Sequence, residues 1–305
     1  MAATTIEGKR ILLTGASSGI GRALAKRLGE RGAALAIAAR SEGELEHVAD
    51  EIVGDGGTRP VVLVTDLSVR NEAARLAARA IDALGEIDVL INNAGGGVGG
   101  SIASVGDRDE GREAFEVNYW SPLALAAAII PRMRARESGI IVNVTSGAQV
   151  TVWPLFGAYA ATKAAFASAT LTMEMELQGT GIRVVEVCPG PVDTAVQGET
   201  RLAPGIGKML RAVPMGSAHV LATKIVRALE RGDRRLVYPG PVHVGLLFPR
   251  LVRWRARRLW SQTRTQLDPA AQQMIAELVV RTGSHGDPIA REAREQWERA
   301  RTGVR

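Results

Sequence analysis

Short apolar runs that lack polar alternation constrain the fold of this chain most strongly. A strand without polar alternation is covered on both faces, which is typical of a parallel sheet. Six such runs occur in order: RILLTG (10–15), ALAIAAR (34–40), PVVLVT (60–65), IDVLINN (87–93), GIIVNVTS (139–146) and IRVVEVCP (182–189). Helix-like segments separate or follow them, at about 19–31, 42–54, 69–84, 108–136, 155–179 and 216–231, and RRLVYPG (234–240) indicates a last strand. The alternation predicts an α/β fold with a doubly wound parallel sheet.

Composition and length limit the class of protein. The 305 residues, 46% of them hydrophobic, can build a substantial core. The single cysteine, Cys188, excludes an intrachain disulfide and a Cys-rich metal site, and the four histidines lack ligand spacing, so we expect no metal. The start lacks the apolar region of a secretory signal, and no apolar run approaches the roughly 18 residues that span a bilayer. We therefore expect a cytoplasmic protein.

The composition changes near residue 240, where Pro and Gly cluster in YPGPVHVG (238–245). We interpret residues 1–240 as one domain and 241–305 as a basic, helical C-terminal extension. Residues 1–200 carry 18 Lys and Arg against 24 Asp and Glu, a net charge of −6, whereas residues 201–305 carry 20 against 8, a net charge of +12. The positive charge of the chain thus belongs to its last third.

A glycine-rich turn, TGASSGIGR (14–22), joins the first predicted strand to the first helix. Gly15, Gly19 and Gly21 permit a tight turn and let the backbone approach a pyrophosphate closely. The following helix points its free N–H groups and positive dipole end at that phosphate. The turn therefore predicts a dinucleotide site, and a merely compact strand–helix turn is the alternative.

The end of the second predicted strand indicates which dinucleotide is bound. NAD-binding folds usually place Asp or Glu there to accept from the ribose 2′-OH. This chain instead has Ala39, Arg40 and Ser41. An arginine can hold a 2′-phosphate by charge-assisted hydrogen bonds, which favours NADP over NAD. The alternative is that Arg40 is a solvated residue at a strand end.

Further motifs follow the later strands in a recognisable order. They are Asp66-Leu67 after the third strand, NNAG (92–95) after the fourth, Asn118 in the long helix, Ser146 after the fifth, YAATK (159–163), and PGPVDT (189–194) after the sixth. With the glycine-rich turn, this set resembles the short-chain dehydrogenase/reductase family over about residues 8–240. The resemblance implies a Rossmann-type sheet and an NAD(P)-dependent enzyme.

The resemblance also implies which residues contact the nucleotide. Asp66 would contact adenine, Lys163 the nicotinamide ribose, and Thr194 the nicotinamide carboxamide. The full set of predicted cofactor contacts is Gly15, Ser17, Ser18, Gly19, Ile20, Gly21, Arg40, Ser41, Asp66, Leu67, Asn93, Ala94, Gly95, Tyr159, Lys163, Pro189, Gly190, Val192 and Thr194.

Tyr159 and Lys163 are the centre of the predicted chemistry. Their spacing of four places them on one helix face, which by itself could be ordinary helix packing. A carbonyl that accepts hydride needs a proton donor at its oxygen. A free tyrosine, with a pKa near 10, is too weak an acid to donate that proton efficiently at neutral pH. A nearby cation lowers that pKa, and Lys163 and an oxidised nicotinamide would both supply positive charge.

The resemblance adds two catalytic residues to this pair. Ser146 would hold the substrate oxygen and stabilise its developing charge, and Asn118 would anchor a water that relays protons behind Lys163. Ser146 could instead be a strand-end hydroxyl that satisfies a loop. Asn118 could be a helix amide bonded to a neighbouring strand.

The substrate side of the predicted site is apolar. GAQVTVWPLFGAY (147–159) contains no charge, which favours an apolar carbonyl or alcohol, such as a lipid-, steroid- or terpenoid-like molecule. Packing in the core or in a dimer contact is the alternative for these side chains. Region 195–215 is interpreted as a flexible lid. GGVGG (96–100) borders the same side and is richer in glycine than is usual in the family.

The segment LLFPRLVRWRARRLW (246–260) carries five arginines between residues 250 and 258. Leu247, Leu251 and Trp254 follow helical spacing, which indicates a basic amphipathic helix on an anionic membrane surface. A helix docked on the domain or on a second subunit, with a solvated arginine face, also explains the pattern, and from the sequence we slightly favour this interpretation. No nucleic-acid-binding motif accompanies the charge, so we expect no nucleic acid partner.

These features predict an NADP-preferring oxidoreductase that interconverts a ketone or aldehyde and an alcohol. Two alternatives remain open: a sensor or scaffold that binds NADP without turnover, and a lipid carbonyl reductase at a membrane surface. The family resemblance implies a homodimer or homotetramer formed through the helices at 108–136 and 155–179.

Overall fold

The computed structural model of the chain describes residues 4–99, 102–106, 108–151, 156–193 and 215–262. Seven strands form one sheet: β1 (Arg10–Thr14), β2 (Ala34–Ala39), β3 (Val61–Val64), β4 (Val89–Asn92), β5 (Gly139–Val144), β6 (Ile182–Pro189) and β9 (Arg235–Tyr238). Their order is β3-β2-β1-β4-β5-β6-β9, and all neighbours are parallel. Two short strands, β7 (Val192–Asp193) and β8 (Gly216–Ser217), pair separately. The predicted doubly wound parallel sheet is confirmed.

Helices cover both faces of the sheet. On one face lie α1 (Gly19–Gly29), α2 (Glu42–Gly54) and α8 (Ala218–Arg231); on the other lie α3 (Glu72–Leu84), α6 (Ser121–Ala135) and α7 (Gly157–Glu176). Successive side chains of a strand point to opposite faces. Ile11 and Leu13 therefore pack in the first core and Leu12 in the second, all fully buried. Apolar strands without alternation are the sequence signature of these two cores.

The strand order reverses between β1 and β4, and this reversal locates the site. The chain runs from β1 outward to β3 and then returns to β4 on the other side of β1. In such sheets, ligands bind in the crevice outside the carboxyl ends of the strands at the reversal. The glycine-rich turn follows β1, and residues 93–95 follow β4, so both lie at this crevice.

Two helices differ from the prediction. Helix α3 begins at Glu72 rather than near residue 69, because Asn71 adopts a left-handed conformation (φ 72°) that a helix does not continue through. The helix predicted at 108–136 consists of α5 (Asp109–Phe115), a π-helical turn (Glu116–Trp120) and α6. A π-helical turn is a wider turn that often marks a functional site, and here it contains Asn118.

The described part of the C-terminal extension forms two helices, α9 (Pro241–Leu247) and α10 (Pro249–Gln262). The remaining short helix is α4 (Ile102–Val105), between β4 and α5. No helix among the described residues is long and apolar enough to cross a membrane. The division of the chain at residue 240 stays a prediction.

Candidate active site

The glycine-rich turn has a backbone that only glycine fits. Gly15 and Gly19 have positive φ angles of 68° and 53°. A Cβ atom on Gly15 would lie 2.7 Å from Ala94 Cα, and one on Gly21 would collide with the Gly15 carbonyl oxygen. The turn therefore passes very close to the loop after β4, and it leads into the N-terminus of α1. Unpaired N–H groups at such a terminus suit the pyrophosphate of a dinucleotide.

Two polar side chains tie this turn to β4. The Thr14 hydroxyl oxygen accepts from the N–H groups of Asn93 (3.1 Å) and Ala94 (3.0 Å) and donates to the Ile91 carbonyl oxygen (3.3 Å). The Asn93 amide nitrogen donates to the carbonyl oxygens of Thr14 (2.9 Å) and Gly15 (3.1 Å). Thr14 was not among the predicted site residues. A polar residue at the end of an otherwise apolar strand is the signal that could have identified it.

The predicted adenosine side lies at the ends of β2 and β3. Arg40 directly follows β2 and is exposed, and Ser41 caps α2 by accepting from the Glu44 N–H group (3.4 Å). Asp66 Oδ1 accepts from the Ser68 N–H group (2.9 Å) and hydroxyl (2.7 Å). Leu67 is buried in the core. The nucleotide contacts of these residues stay predictions.

Tyr159, Lys163 and Ser146 meet at the carboxyl end of β5. Helix α7 carries the first two one turn apart, and Ser146 follows β5 by two residues. The Lys163 ammonium donates to the Val144 carbonyl oxygen (3.1 Å), and the Ser146 hydroxyl oxygen accepts from the Ala148 N–H group (3.1 Å). Ser146 also interacts with the Tyr159 phenol and acts to lower its pKa. The structure therefore brings together three of the four predicted catalytic side chains.

Burial shifts the pKa values of this cluster. It raises the pKa of the Tyr159 phenol, and the hydrogen bond with Ser146 opposes that rise. Tyr159 packs against a small apolar cluster of Val98, Val105 and Ala114. Burial also lowers the pKa of Lys163 to about 8. The sequence predicted that Lys163 and an oxidised nicotinamide lower the tyrosine pKa; the residues of the chain raise it, because desolvation of the phenol is the largest effect.

Asn118, the fourth predicted catalytic residue, clamps the loop after β4. Its amide nitrogen donates to the Gly96 carbonyl oxygen (2.7 Å) and to Thr162 Oγ1 (3.1 Å), and its amide oxygen accepts from the Gly96 N–H group (3.1 Å). A Cβ atom on Gly95 would lie 3.0 Å from Asn118 Oδ1 and 3.4 Å from Lys163 Nζ. Asn118 therefore sits beside Lys163 but is bonded to a loop. Its role in a water relay stays a prediction.

A polar network under the turn after Ser146 was not predicted. Glu186 Oε1 accepts from Thr145 Oγ1 (2.9 Å) and Gln149 Nε2 (3.2 Å), and its Oε2 lies 2.8 Å from Arg235 Nε. A glutamate inside the apolar run IRVVEVCP is the signal that could have indicated it. The neighbouring Cys188 is buried, and burial raises the pKa of its thiol to about 11. This fits the sequence interpretation of Cys188 as a small core residue.

The C-terminal extension also touches the site. A Cβ atom on Gly147, next to Ser146, would lie 2.9 Å from a Val242 methyl group, and one on Gly190 would collide with the other methyl group. Helix α9 thus packs against the turn that contains Ser146 and Gly147, which we name the serine turn, and against the end of β6. Pro189 and Gly190 lie at that end, with the Gly190 N–H group donating to the Tyr238 carbonyl oxygen (2.7 Å).

Several predicted features lie wholly or partly outside the described residues. They are Thr194, residues 152–155 of the apolar substrate segment, residues 195–214 of the lid, and residue 100 of the glycine-rich loop. Val192, another predicted cofactor contact, is described and is buried in β7. Among the described residues, no group of His, Cys, Asp and Glu could hold a metal ion.

The fold and the site are those of a dinucleotide-dependent enzyme, and the comparison with known proteins gives its family. The model of the family described as short chain dehydrogenase matches residues 9–204, and the chain belongs to this family. It is therefore an NAD(P)-dependent dehydrogenase or reductase. Among its relatives, 11-beta-hydroxysteroid dehydrogenase A of Arachis hypogaea is 31% identical over 271 residues, which cover 84% of this chain and 76% of the relative.

Two similar crystal structures contain different nucleotides. A metagenomic short-chain oxidoreductase in complex with NADP has a TM-score of 0.64 and 28% identity, and the match covers 77% of this chain and 98% of that one. A short chain dehydrogenase/reductase of Burkholderia phymatum in complex with NAD has a TM-score of 0.71 and 27% identity, with 87% and 99% covered. The fold thus accommodates either nucleotide.

Proposed function

We propose that the protein is an NADP-preferring oxidoreductase that interconverts a ketone or aldehyde and an alcohol on an apolar, lipid-, steroid- or terpenoid-like substrate. The observation that carries the proposal is the cluster of Ser146, Tyr159 and Lys163 at the carboxyl end of β5, beside the strand-order reversal. A proton donor, a hydroxyl and a cation at that place are what reduction of a carbonyl requires.

The roles of the residues follow from their chemistry. NADPH, held by the glycine-rich turn and by residues 93–95, supplies the hydride. Tyr159 gives its proton to the carbonyl oxygen. Its raised pKa keeps the phenol protonated near neutral pH, and the positive charges of Lys163 and of an oxidised nicotinamide would lower that pKa and favour the transfer. The Ser146 hydroxyl holds the same oxygen and stabilises its developing charge. Lys163, charged below a pH of about 8, binds the ribose and favours the phenolate that forms.

A Tyr159→Phe variant tests this mechanism. The substitution removes the proton donor and little else, so we expect kcat for ketone reduction to fall about 10²- to 10⁴-fold, the usual contribution of a positioned acid or base. The affinity for NADPH should change little. NADPH absorbance with a panel of carbonyl compounds measures turnover, and fluorescence titration measures binding.

Tyr119→Phe is the matched control, because Tyr119 is half-buried in the π-helical turn and has no role in the proposal. It should keep the wild-type rate. A Tyr159→Phe variant with wild-type turnover would contradict the mechanism. If the wild-type protein binds NADPH but does not oxidise it with any carbonyl compound of the panel, the sensor or scaffold is favoured instead.

The NADP preference rests on Arg40, which follows β2 where an NAD-binding fold usually has a carboxylate. We expect Arg40→Ala to weaken NADPH binding about 10- to 100-fold, since a hydrogen bond to a charged group contributes roughly 1.5–3 kcal/mol. NADH binding should change much less. Arg227→Ala, at an exposed arginine of α8, is the control. Equal losses for the two nucleotides at Arg40→Ala would refute this role.

An apolar substrate is favoured by the uncharged segment after Ser146. Its described apolar members, Val150 and Phe156, are half-buried. The steroid dehydrogenase named among the relatives supports the same class of substrate. A screen in which only charged or sugar-like carbonyl compounds are reduced would contradict this part of the proposal.

We also propose a homo-oligomer that forms through the long helices on the α3–α6–α7 face. Leu171 and Met175 on α7 and Trp120 in the π-helical turn are large apolar side chains, each more than half exposed in the single chain. Exposed apolar side chains at this density are typical of a contact surface.

A further inference from the structure

The end of the described chain concentrates exposed apolar side chains. Thirteen large apolar residues are exposed in the part of the chain that the structure describes, and five of them fall within eleven residues. These five, between 50% and 64% exposed, are Val244, Leu247, Phe248, Leu251 and Trp254. They all belong to α9, α10 and the residue between these helices, which we name the C-terminal helix pair (241–262).

The helix pair has an inner and an outer face. Val252 lies 3.5 Å from the position that a Cβ atom on Gly245 would take, so this side of α10 faces α9. Ala256, four residues later, shares that side and is also partly covered. Leu251 and Trp254 are three residues apart, so they lie together on another side of α10, which is exposed.

Positive charge flanks this apolar stripe. The sequence has no Asp or Glu between residues 234 and 267, whereas five arginines occur between residues 250 and 258. Arg250, Arg253 and Arg257 follow helical spacing beside the stripe, and none of them forms a salt bridge with a described residue. The Arg258 guanidinium lies 5.9 Å from the centre of the Trp254 ring.

This combination matches the surface of a bilayer that contains anionic lipids. Leucine and tryptophan side chains enter the boundary between headgroups and acyl chains, while arginines extend their charge to the lipid phosphates. A helix of fourteen residues with this composition lies in the plane of the interface and does not span it. An acidic protein surface could satisfy the arginines, but it would leave the apolar stripe between them without a matching partner.

We propose that the C-terminal helix pair docks the protein onto a lipid bilayer that contains anionic lipids, with Leu251 and Trp254 inserted and the arginines at the headgroups. The pair is directly attached to the candidate active site, because Val242 at the start of α9 contacts Gly147 and Gly190. Docking therefore brings the serine turn close to the bilayer. Given the proposed function, this placement favours carbonyl compounds that are dissolved in the membrane.

Flotation of the full-length protein with lipid vesicles tests the docking. We expect it to float with vesicles of phosphatidylcholine and phosphatidylserine at low salt, to float poorly with phosphatidylcholine alone, and to be released by added salt. Replacing Arg250, Arg253 and Arg257 together by Gln should weaken the binding about 100-fold, because each arginine near an anionic surface contributes roughly fivefold. The double variant Leu251→Glu, Trp254→Glu should also fail to float.

Point variants are preferable to a chain that ends at residue 240, because the truncation would remove Val242 from the active site. Val53→Glu, at an exposed valine of α2, is the matched control and should float like the wild type. Circular dichroism and turnover of a water-soluble ketone without vesicles check that the variants fold, and this turnover reports on the proposed function independently.

Three results would overturn the docking proposal. In the first, the wild type fails to float with anionic vesicles at low salt. In the second, the arginine and Leu251/Trp254 variants float as well as the wild type. In the third, the Leu251/Trp254 variant lowers the molar mass of the protein in solution without any change in flotation, which would make the helix pair a contact between subunits.

Discussion

Tyr159 and Lys163 show what the sequence can predict about single residues and what it cannot. Helical spacing placed Tyr159 and Lys163 on one helix face, and the family resemblance added Ser146. The structure brings the three side chains to the carboxyl end of β5, and their catalytic roles stay predictions. The direction of the tyrosine pKa shift could not be derived, because it depends on burial, and the apolar cluster of Val98, Val105 and Ala114 against which Tyr159 packs comes from a distant part of the sequence. Burial favours the neutral form of both groups, so it raises the tyrosine pKa and lowers the lysine pKa.

The lowered pKa of Lys163 predicts a pH-dependent stability. Its value is about 8 in the folded protein against an ordinary 10.5. Between these values the unfolded chain keeps the proton that the folded protein has lost, so stability rises with pH in this window, by up to about 3 kcal/mol. Relative to Lys163→Met, the wild type should therefore become more stable from pH 8 to 10.5.

Urea unfolding of both proteins across this pH range, without nucleotide, measures the difference. Other titrating groups are common to the two proteins and cancel. A stability difference that stays constant with pH would show that Lys163 titrates normally in the folded protein.

The positions of helices and strands were predictable where the spacing of apolar residues determines them. They were less predictable where a single backbone conformation or hydrogen bond determines the end or the shape of a helix. All seven strands of the sheet lie within the predicted runs. The late start of α3 was missed, because the left-handed conformation of Asn71 does not change the spacing of apolar residues. The π-helical turn was missed as well, since the hydrogen bonds between Asn118 and Gly96 are not visible in that spacing either. The same is true of Thr14, whose partners lie in another strand and its loop.

Thr14→Val tests the connection between β1 and β4. Valine has nearly the same shape but cannot accept hydrogen bonds, so the Ala94 N–H group loses its partner and the Asn93 N–H group keeps only the Ile91 carbonyl oxygen. An unsatisfied buried group costs about 1–3 kcal/mol, and the free energy of unfolding should fall by about that amount. NADPH affinity should also fall, because the glycine-rich turn loses its support.

Urea unfolding and NADPH titration measure the two effects. Thr172→Val is the control, since this exposed hydroxyl donates only to the Ser168 carbonyl oxygen of its own helix. That change should stay within about 0.5 kcal/mol. If Thr14→Val were as stable as the control, the bonds to the loop after β4 would not support the fold.

At the scale of the whole molecule, the layered architecture followed from the sequence. Alternating strands and helices predicted the sheet, and the glycine-rich turn predicted a dinucleotide site; the strand order, which puts this turn at the reversal between β1 and β4, came from the structure. The packing of α9 against the serine turn could not be predicted, because a single valine against two glycines has no sequence signature. We still propose residues 1–240 as the domain that contains the predicted catalytic residues, with α9 as a support from the extension.

The proposed homo-oligomer predicts the effect of charge on α7. Leu171 and Met175 are four residues apart and share an exposed face. Changing both to Glu should yield a monomer of 32.4 kDa in light scattering, because buried carboxylates without partners oppose association. Val220→Glu, on α8 at the other face of the sheet, should leave the oligomer intact. A wild-type protein that is itself monomeric would exclude the contact.

The hydrogen bonds of Thr14 and Asn93 have a thermodynamic consequence for cofactor binding. They hold the glycine-rich turn after β1 against the loop after β4 with bonds that belong to the chain itself. Little backbone entropy is then lost at this point when a dinucleotide enters. In calorimetry, the heat-capacity change on dinucleotide binding should therefore reflect the apolar area that the ligand covers. Folding of the turn and of the loop after β4 should add nothing to it.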